Sequence, residues 1–253
     1  MFTTSSLLIG AWAAAMIGLS KSAFPGTGLL AIPLLAEVFV GRGIAGAMLP
    51  MLLVADILAV RWYGKNARFD IVRPLLGPLA LGYLLGTIFF VVVGSAARSL
   101  EISLGVIIAV LVLVQIYRML RRAPPSKPQA MTIGFTGVMG GFTTFVANAA
   151  GPVLNTYFLA LRLPKDEVIG TSAWFFFAVN ASKIPIYLAI MTFAPGGAFF
   201  TMESLLYSAI LSPIVVVAAL IGRRLLTIIS QRLFNGLVLL LSGIAALKLI
   251  AGG

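Results

Sequence analysis

GLSKSAFPGTG, residues 18–28, interrupts an otherwise apolar run, and a matching interruption, GFTTFVANAAG, occupies residues 141–151. Each runs from glycine to glycine over the same ten-residue spacing, and the second begins 123 positions after the first, half the chain away. A further matched pair follows, in which Gly46 and Asp56 correspond to Gly170 and Asn180 at an offset of 124. Glycine and proline break helices. Each segment therefore reads as a broken apolar helix, and the chain as one plan used twice.

The flanking sequence settles the class. Of 253 residues, 60% are hydrophobic and 10% charged, and mean hydropathy is +1.09. Apolar stretches of about 17–25 residues match the thickness of a bilayer. Six long ones stand at 43–62, 74–94, 101–118, 168–192, 203–221 and 231–250, whereas residues 5–40 and 131–162 exceed one span and contain the breaks. Lipid offers the backbone no hydrogen bonds, so spanning segments are helices or a closed barrel. These runs are continuous rather than alternating, which excludes the barrel. An all-α integral membrane protein with one membrane domain is expected. The opening MFTTSSLLIGAW carries no basic leader and reads as the start of the first helix rather than a cleaved signal. Cysteine and histidine are absent. That removes disulfides, the commonest metal ligand and the commonest general base, and no cofactor or metal is expected.

The net charge of +11 reports topology. If each broken segment crossed once, the basic loop residues would split nearly evenly between the two sides. If each folds back as a hairpin, three full crossings remain per half, and the odd number inverts the second half. One side then carries thirteen of the eighteen basic residues: Arg61, Lys65, Arg68, Arg73, Arg118, Arg121, Arg122, Lys127, Arg162, Lys165, Arg223, Arg224 and Arg232. Arg42, Arg98 and Lys248 remain on the other, and Lys21 and Lys183 lie within the membrane. Basic loops mark the cytoplasmic side. The fold class predicted is thus two inverted-topology repeats, each a broken helical hairpin plus three transmembrane helices. The first repeat covers residues 1–120 and the second 131–253; a cytoplasmic linker at 121–130 joins them, and both termini lie outside. The basic surplus needs membrane lipid as its partner and no nucleic acid.

In each hairpin the second half-helix starts at the tip, near Thr27 in the first and after the interruption from Asn148 to Gly151 in the second. A helix N-terminus presents free N–H groups and about half a positive charge. Two aimed at one volume inside the bilayer make an anion site without any charged side chain. Gly26, Thr27 and Gly28 form the first tip; Asn148, Ala150 and Gly151 form the second, with Pro152 where a first-turn proline is tolerated. The competing reading is that glycine and proline only kink helices or let them pack closely.

Three charged residues fall within the membrane: Lys21, Asp56 and Lys183. A charge at a helix centre costs about 2.5–3.5 kcal/mol on insertion scales, so such residues face a cavity and have a task. Lys183 follows Asn180 by three positions and shares its helix face. One or both lysines complete a positive field around an anion; alternatively, Lys21 is tied to Asp56. Asp56 reads as a lysine partner, a proton-coupling carboxylate, or an interfacial charge paired with Arg61. Thr171, Asn148 and Asn180 are further donors suited to an anion.

Three of these stretches, GLSKSAFPGTGLLAIPLL, LPMLLVADILAVRWY and GTSAWFFFAVNASKIP, resemble the sulfite exporter (TauE/SafE) family of membrane transporters. The resemblance extends over essentially the whole chain. It implies export of sulfite or small organosulfur anions across the bacterial cytoplasmic membrane. It also implies glycine-rich tips near the substrate, which map onto Gly26, Gly28 and Gly151. The second tip, ANAAG, departs from the consecutive glycines of several family members.

The reading is a secondary transporter for a small anion, working by alternating access between inverted halves. An anion channel, or an assembly protein without substrate, stands as the alternative, and a homodimer is a further expectation. No GxxxxGK[ST] sequence is present to bind ATP. An intramembrane Ser-Lys dyad would have to use Ser20, Ser22 or Ser182, which are direct chain neighbours of the lysines and point elsewhere on a helix. The chain is read as not an enzyme.

Overall fold

The computed structural model describes residues 2–40, 42–92, 98–121, 129–148, 150–193 and 198–251. Most of the linker, 122–128, lies outside them, with Arg122 and Lys127, and so do Ala149 of the second tip and the end of the 74–94 span. The described residues form helices and no strand. In order these are α1 (Thr4–Ser22), a 3-10 turn (Thr27–Leu30), α2 (Ala31–Ala36), α3 (Arg42–Tyr63), α4 (Phe69–Val92) and α5 (Arg98–Leu120). Then come α6 (Ala130–Ala147), α7 (Ala150–Ala160), α8 (Lys165–Phe193), α9 (Met202–Ile228) and α10 (Gln231–Ala251). Both breaks read from the sequence are helix interruptions. Among the described residues, four segments are long and apolar enough to cross a membrane: Arg42–Asn66, Phe69–Phe89, Lys165–Phe193 and Met202–Ile228. Their outward faces carry Leu76, Leu84, Ile88, Leu206, Ile210 and Val217, all about half exposed, which suits contact with hydrocarbon rather than water. The chain is a multi-pass helical membrane protein.

Two compact units make up the chain, one of Met1–Lys65 with Ser172–Ile229, the other of Asn66–Thr171 with Ser230–Gly253. In the first, α1 lies along α9 and both pack on α3. The contact is built from small residues. A Cβ on Gly18 would strike the Val215 carbonyl and sit 2.8 Å from Ala218 Cβ. Only glycine permits this approach, and in lipid such close packing replaces the hydrophobic drive between helices. Tyr207 anchors one end of this seam: its hydroxyl donates to the Ser6 carbonyl at 2.6 Å, and Phe2 and Phe39 meet its ring edge-on at 4.9 and 5.1 Å. Ser208 Oγ donates to the Ala47 carbonyl at 2.6 Å and fixes α9 to α3.

In the second unit α6 lies along α4, and α5 along α10. Gly141 is the counterpart of Gly18: a Cβ there would strike the Leu79 carbonyl and sit 2.9 Å from the Tyr83 nitrogen. Tyr83 and Phe145 close the same seam edge-to-face at 5.0 Å. The short α7 packs on α6, α5 and α10, and its residues from Pro152 to Leu159 are all buried. The start of α8 is tied to α10 by Gln231, whose Oε1 accepts the Lys165 N–H at 2.6 Å. At the start of α4 the exposed Arg68 guanidinium donates to Asp70 at 2.8 Å and to Glu167 at 3.0 Å.

Gly18→Val and Gly141→Val should each destabilise the protein by about 1–3 kcal/mol through overpacking. Gly134→Ala, where nothing lies within 4 Å, should leave stability unchanged or raise it. Thermal unfolding of the detergent-solubilised protein measures both, and a silent Gly141→Val variant would refute the close-packing account.

Candidate functional site

Two arrangements collect the residues singled out in the sequence, one in each unit. In the first unit α1, α3 and α8 bring four of them together. Lys21, in the last turn of α1, places Nζ 2.8 Å from Asp56 Oδ1. Asn180 Nδ2 donates to the other carboxylate oxygen, Oδ2, at 2.6 Å. Lys183, one turn further along α8, donates from Nζ to Asn180 Oδ1 at 3.2 Å. The Asn180 amide is thus held from both sides, donor toward the acid and acceptor toward the lysine. Asp56 and Lys183 are fully buried, Asn180 is 2% exposed, and the Lys21 ammonium also rests 4.0 Å over the Phe176 ring. Asp56 faces Lys21.

The charge balance of this cluster decides its chemistry. Among the described residues the cluster sets two lysines against one carboxylate. Burying charge is expensive, and the cost falls when an opposite charge arrives. Lysine-rich surroundings of this kind suit the approach of a small anion. The same count shows why Asp56 holds the cluster together: without it, two buried cations face each other.

The first tip belongs to the same unit. Ala23 and Phe24 N–H groups both donate to the Leu19 carbonyl at 3.0 Å and end α1. Pro25 is buried, and Gly26 has φ 113°, a left-handed backbone that favours glycine. The new half-helix does start at Thr27, but as a 3-10 turn. The Thr27 N–H donates to the Phe24 carbonyl at 3.1 Å, and its hydroxyl donates to Met16 and Phe24 carbonyls at 3.0 and 3.1 Å. Gly28 faces Ser20, whose Oγ would lie 3.0 Å from an added Cβ. The first tip stitches its two arms together and has already used its opening donor.

In the second unit the other tip is built differently. Asn148 follows α6 in the left-handed region at φ 49°, and its N–H donates to the Thr144 carbonyl at 3.1 Å. Asparagine tolerates this conformation better than most side chains. Here α7 opens directly as an α-helix of eleven residues. Ala150 and Gly151 hold its first two positions, so their N–H groups have no acceptor within the helix. Pro152 holds the third, where the missing N–H costs nothing. Asn155 Nδ2 lies 4.0 Å from the place a Cβ added to Gly151 would fill, the only contact within 4 Å there among the described residues outside the adjoining backbone. Asn155, which the sequence reading passed over, therefore borders the same helix terminus. Its signal in the sequence is an amide four positions after Gly151 in an apolar run. Thr171, by contrast, lies with neither group. Its Oγ1 accepts the Arg68 N–H at 3.0 Å and anchors the segment before α4.

Removing Asp56 should be the most damaging change in the cluster. Asp56→Ala is expected to cost about 3–5 kcal/mol by stranding buried cations, read as loss of the folded, monodisperse protein. Lys183→Met keeps the Lys21–Asp56 pair and should fold. It should also weaken binding of sulfite at least tenfold, about 1.4 kcal/mol, measured by titration of the purified variant. Parent-like sulfite affinity in Lys183→Met would remove the lysine from the site.

Comparison with known proteins names the family. No curated protein and no solved structure matches the chain. Residues 9–249 match the family described as Sulfite exporter TauE/SafE, nearly from end to end. The chain is a member of the TauE/SafE sulfite exporter family, a family of membrane transporters.

Proposed function

We propose that this protein is a secondary transporter that exports a small anion, sulfite or an organosulfur or sulfonate-type anion, across the bacterial cytoplasmic membrane. The observation that carries the reading is the buried cluster of Lys21, Asp56, Asn180 and Lys183, in which two lysines gather around one carboxylate and one amide. Among the expected substrate contacts, Asn148, Ala150 and Gly151 stand where α7 begins, while Gly26, Thr27 and Gly28 keep their place only if Thr27 exchanges its bonds to the Met16 and Phe24 carbonyls. Lys21 and Lys183 supply the field, and Asp56 sets its strength by pairing with Lys21. Thr171 keeps its place among the proposed donors only if it exchanges its bond to Arg68.

Alternating access in this reading comes from two inverted repeats, 1–120 and 131–253, joined by the linker at 121–130, with both termini outside. Packing supports the repeat alignment residue by residue. Gly18 meets the Val215 carbonyl, Ala218 and Ala219, while Gly141 meets the Leu79 carbonyl, Gly82 and Tyr83. Gly141 follows Gly18 by 123 positions, and each α9 partner follows its α4 counterpart by 136. The next turn repeats the match: Gly222 faces Ser22, and Gly86 faces Phe145, at those same two offsets. The distribution of basic residues supports the inversion.

Export needs no nucleotide. A cell negative inside drives an anion outward by about 2.3 kcal/mol per charge per 100 mV. Counterflow in proteoliposomes tests the proposal. Vesicles loaded with unlabelled sulfite should transiently accumulate labelled sulfite above equilibrium, and the rate should saturate. Flux without counterflow would mean a channel, and no flux for sulfite, thiosulfate or methanesulfonate would refute anion transport.

A further inference from the structure

Asn155 stands one helical turn beyond Gly151 on α7 and is 1% exposed. Among the described residues, neither Nδ2 nor Oδ1 has a hydrogen-bond partner. A buried amide left dry is costly, and native interiors rarely keep one without a use. Its direction is informative. Helical side chains lean toward the N-terminus of their own helix, and Nδ2 comes within 4.0 Å of the place a Cβ on Gly151 would fill. The amide thus faces the opening turn of α7, where Gly151 carries no side chain.

That turn carries donors that its own helix cannot use. Ala150 and Gly151 each present an N–H with no acceptor inside the helix, and Pro152 presents none. An 11-residue helix places partial positive charge at this end. The amide adds two N–H donors on the same face, since positions 151 and 155 lie one above the other. Because both amide atoms lack partners, turning the group to present its NH2 breaks no existing bond.

Resting on the anion-export reading, we propose that Asn155 is a substrate-binding residue. Its amide, with the N–H groups of Ala150 and Gly151, forms an uncharged receptor for the oxygens of a small oxyanion. Several N–H donors held in fixed directions match several acceptor oxygens on one centre, as in sulfite or a sulfonate. A halide has no such set of oxygens, so this terminus gives the site a preference for oxyanions over chloride. The residue is absent from the glycine tip itself, and it reaches the ligand from one turn behind.

The test uses the full-length purified protein with sulfite, methanesulfonate and chloride as probes. Asn155→Leu keeps the volume and removes every donor. It should melt at or above the parent without ligand, because the unpaired buried amide is gone. At the same time its affinity for sulfite and methanesulfonate should fall at least tenfold, with a smaller loss for chloride. Asn155→Asp, which offers only acceptors, should lose oxyanion binding as fully. A leucine variant that melts well below the parent would show that the amide has a structural partner, and would overturn the assignment. So would oxyanion affinities within twofold of the parent in both variants. A parent protein whose melting point no probe raises would instead sink the anion reading, and this assignment with it.

Discussion

A helix that ends away from water must find its hydrogen bonds inside the protein, and both breaks in this chain are solutions to that constraint. At the first, Leu19 accepts two N–H groups, and Thr27 turns its own N–H and hydroxyl back onto the preceding arm. At the second, Asn148 bends the chain in the left-handed region and caps α6 with its N–H. Its neighbour α7 then begins with donors that nothing in the helix can use. The two breaks look alike as strings of small residues. They differ as chemistry, because one turns its opening donor back onto the preceding arm and the other opens with N–H groups that its own helix cannot use.

The remainder of each unit serves to hold such unusual groups in place. Glycines let α1 approach α9, and α6 approach α4, to backbone contact. That approach excludes lipid and makes polar interiors affordable. Within the first unit it encloses an acid, an amide and two lysines. Lys21 pairs directly with Asp56, and Lys183 reaches the same acid through the Asn180 amide. Family membership points to a small anion as the class of substrate.

Much of this was legible in the sequence because it depends on local pattern. Glycine and proline at residues 18–28 and 141–151 announce broken helices, and the breaks fall at Ala23–Gly26 and at Asn148. Asn180 and Lys183 sit three apart, which places them on one face of α8 and lets them bond. The tie between Lys21 and Asp56 was one of several readings, since the sequence holds no information on which distant helices meet. Other features were not legible. That Thr27 opens a 3-10 turn follows from the tight closure of the tip, and that Thr171 serves the Arg68 backbone follows from a contact 103 positions apart. Asn155 escaped notice because an amide in an apolar run reads as ordinary backbone satisfaction. Its lack of any partner is a property of three-dimensional packing alone.

The central claim is that a negative solute rests against the opening turn of α7. Selenite, a heavier relative of sulfite, makes the claim directly observable. A crystal soaked in selenite and measured at the selenium absorption edge should show an anomalous peak beside Gly151, within hydrogen-bond reach of the Ala150 and Gly151 N–H groups and the Asn155 amide. Selenium found solely on the basic outer surface, with the space beside Gly151 empty at saturating selenite, would contradict the account.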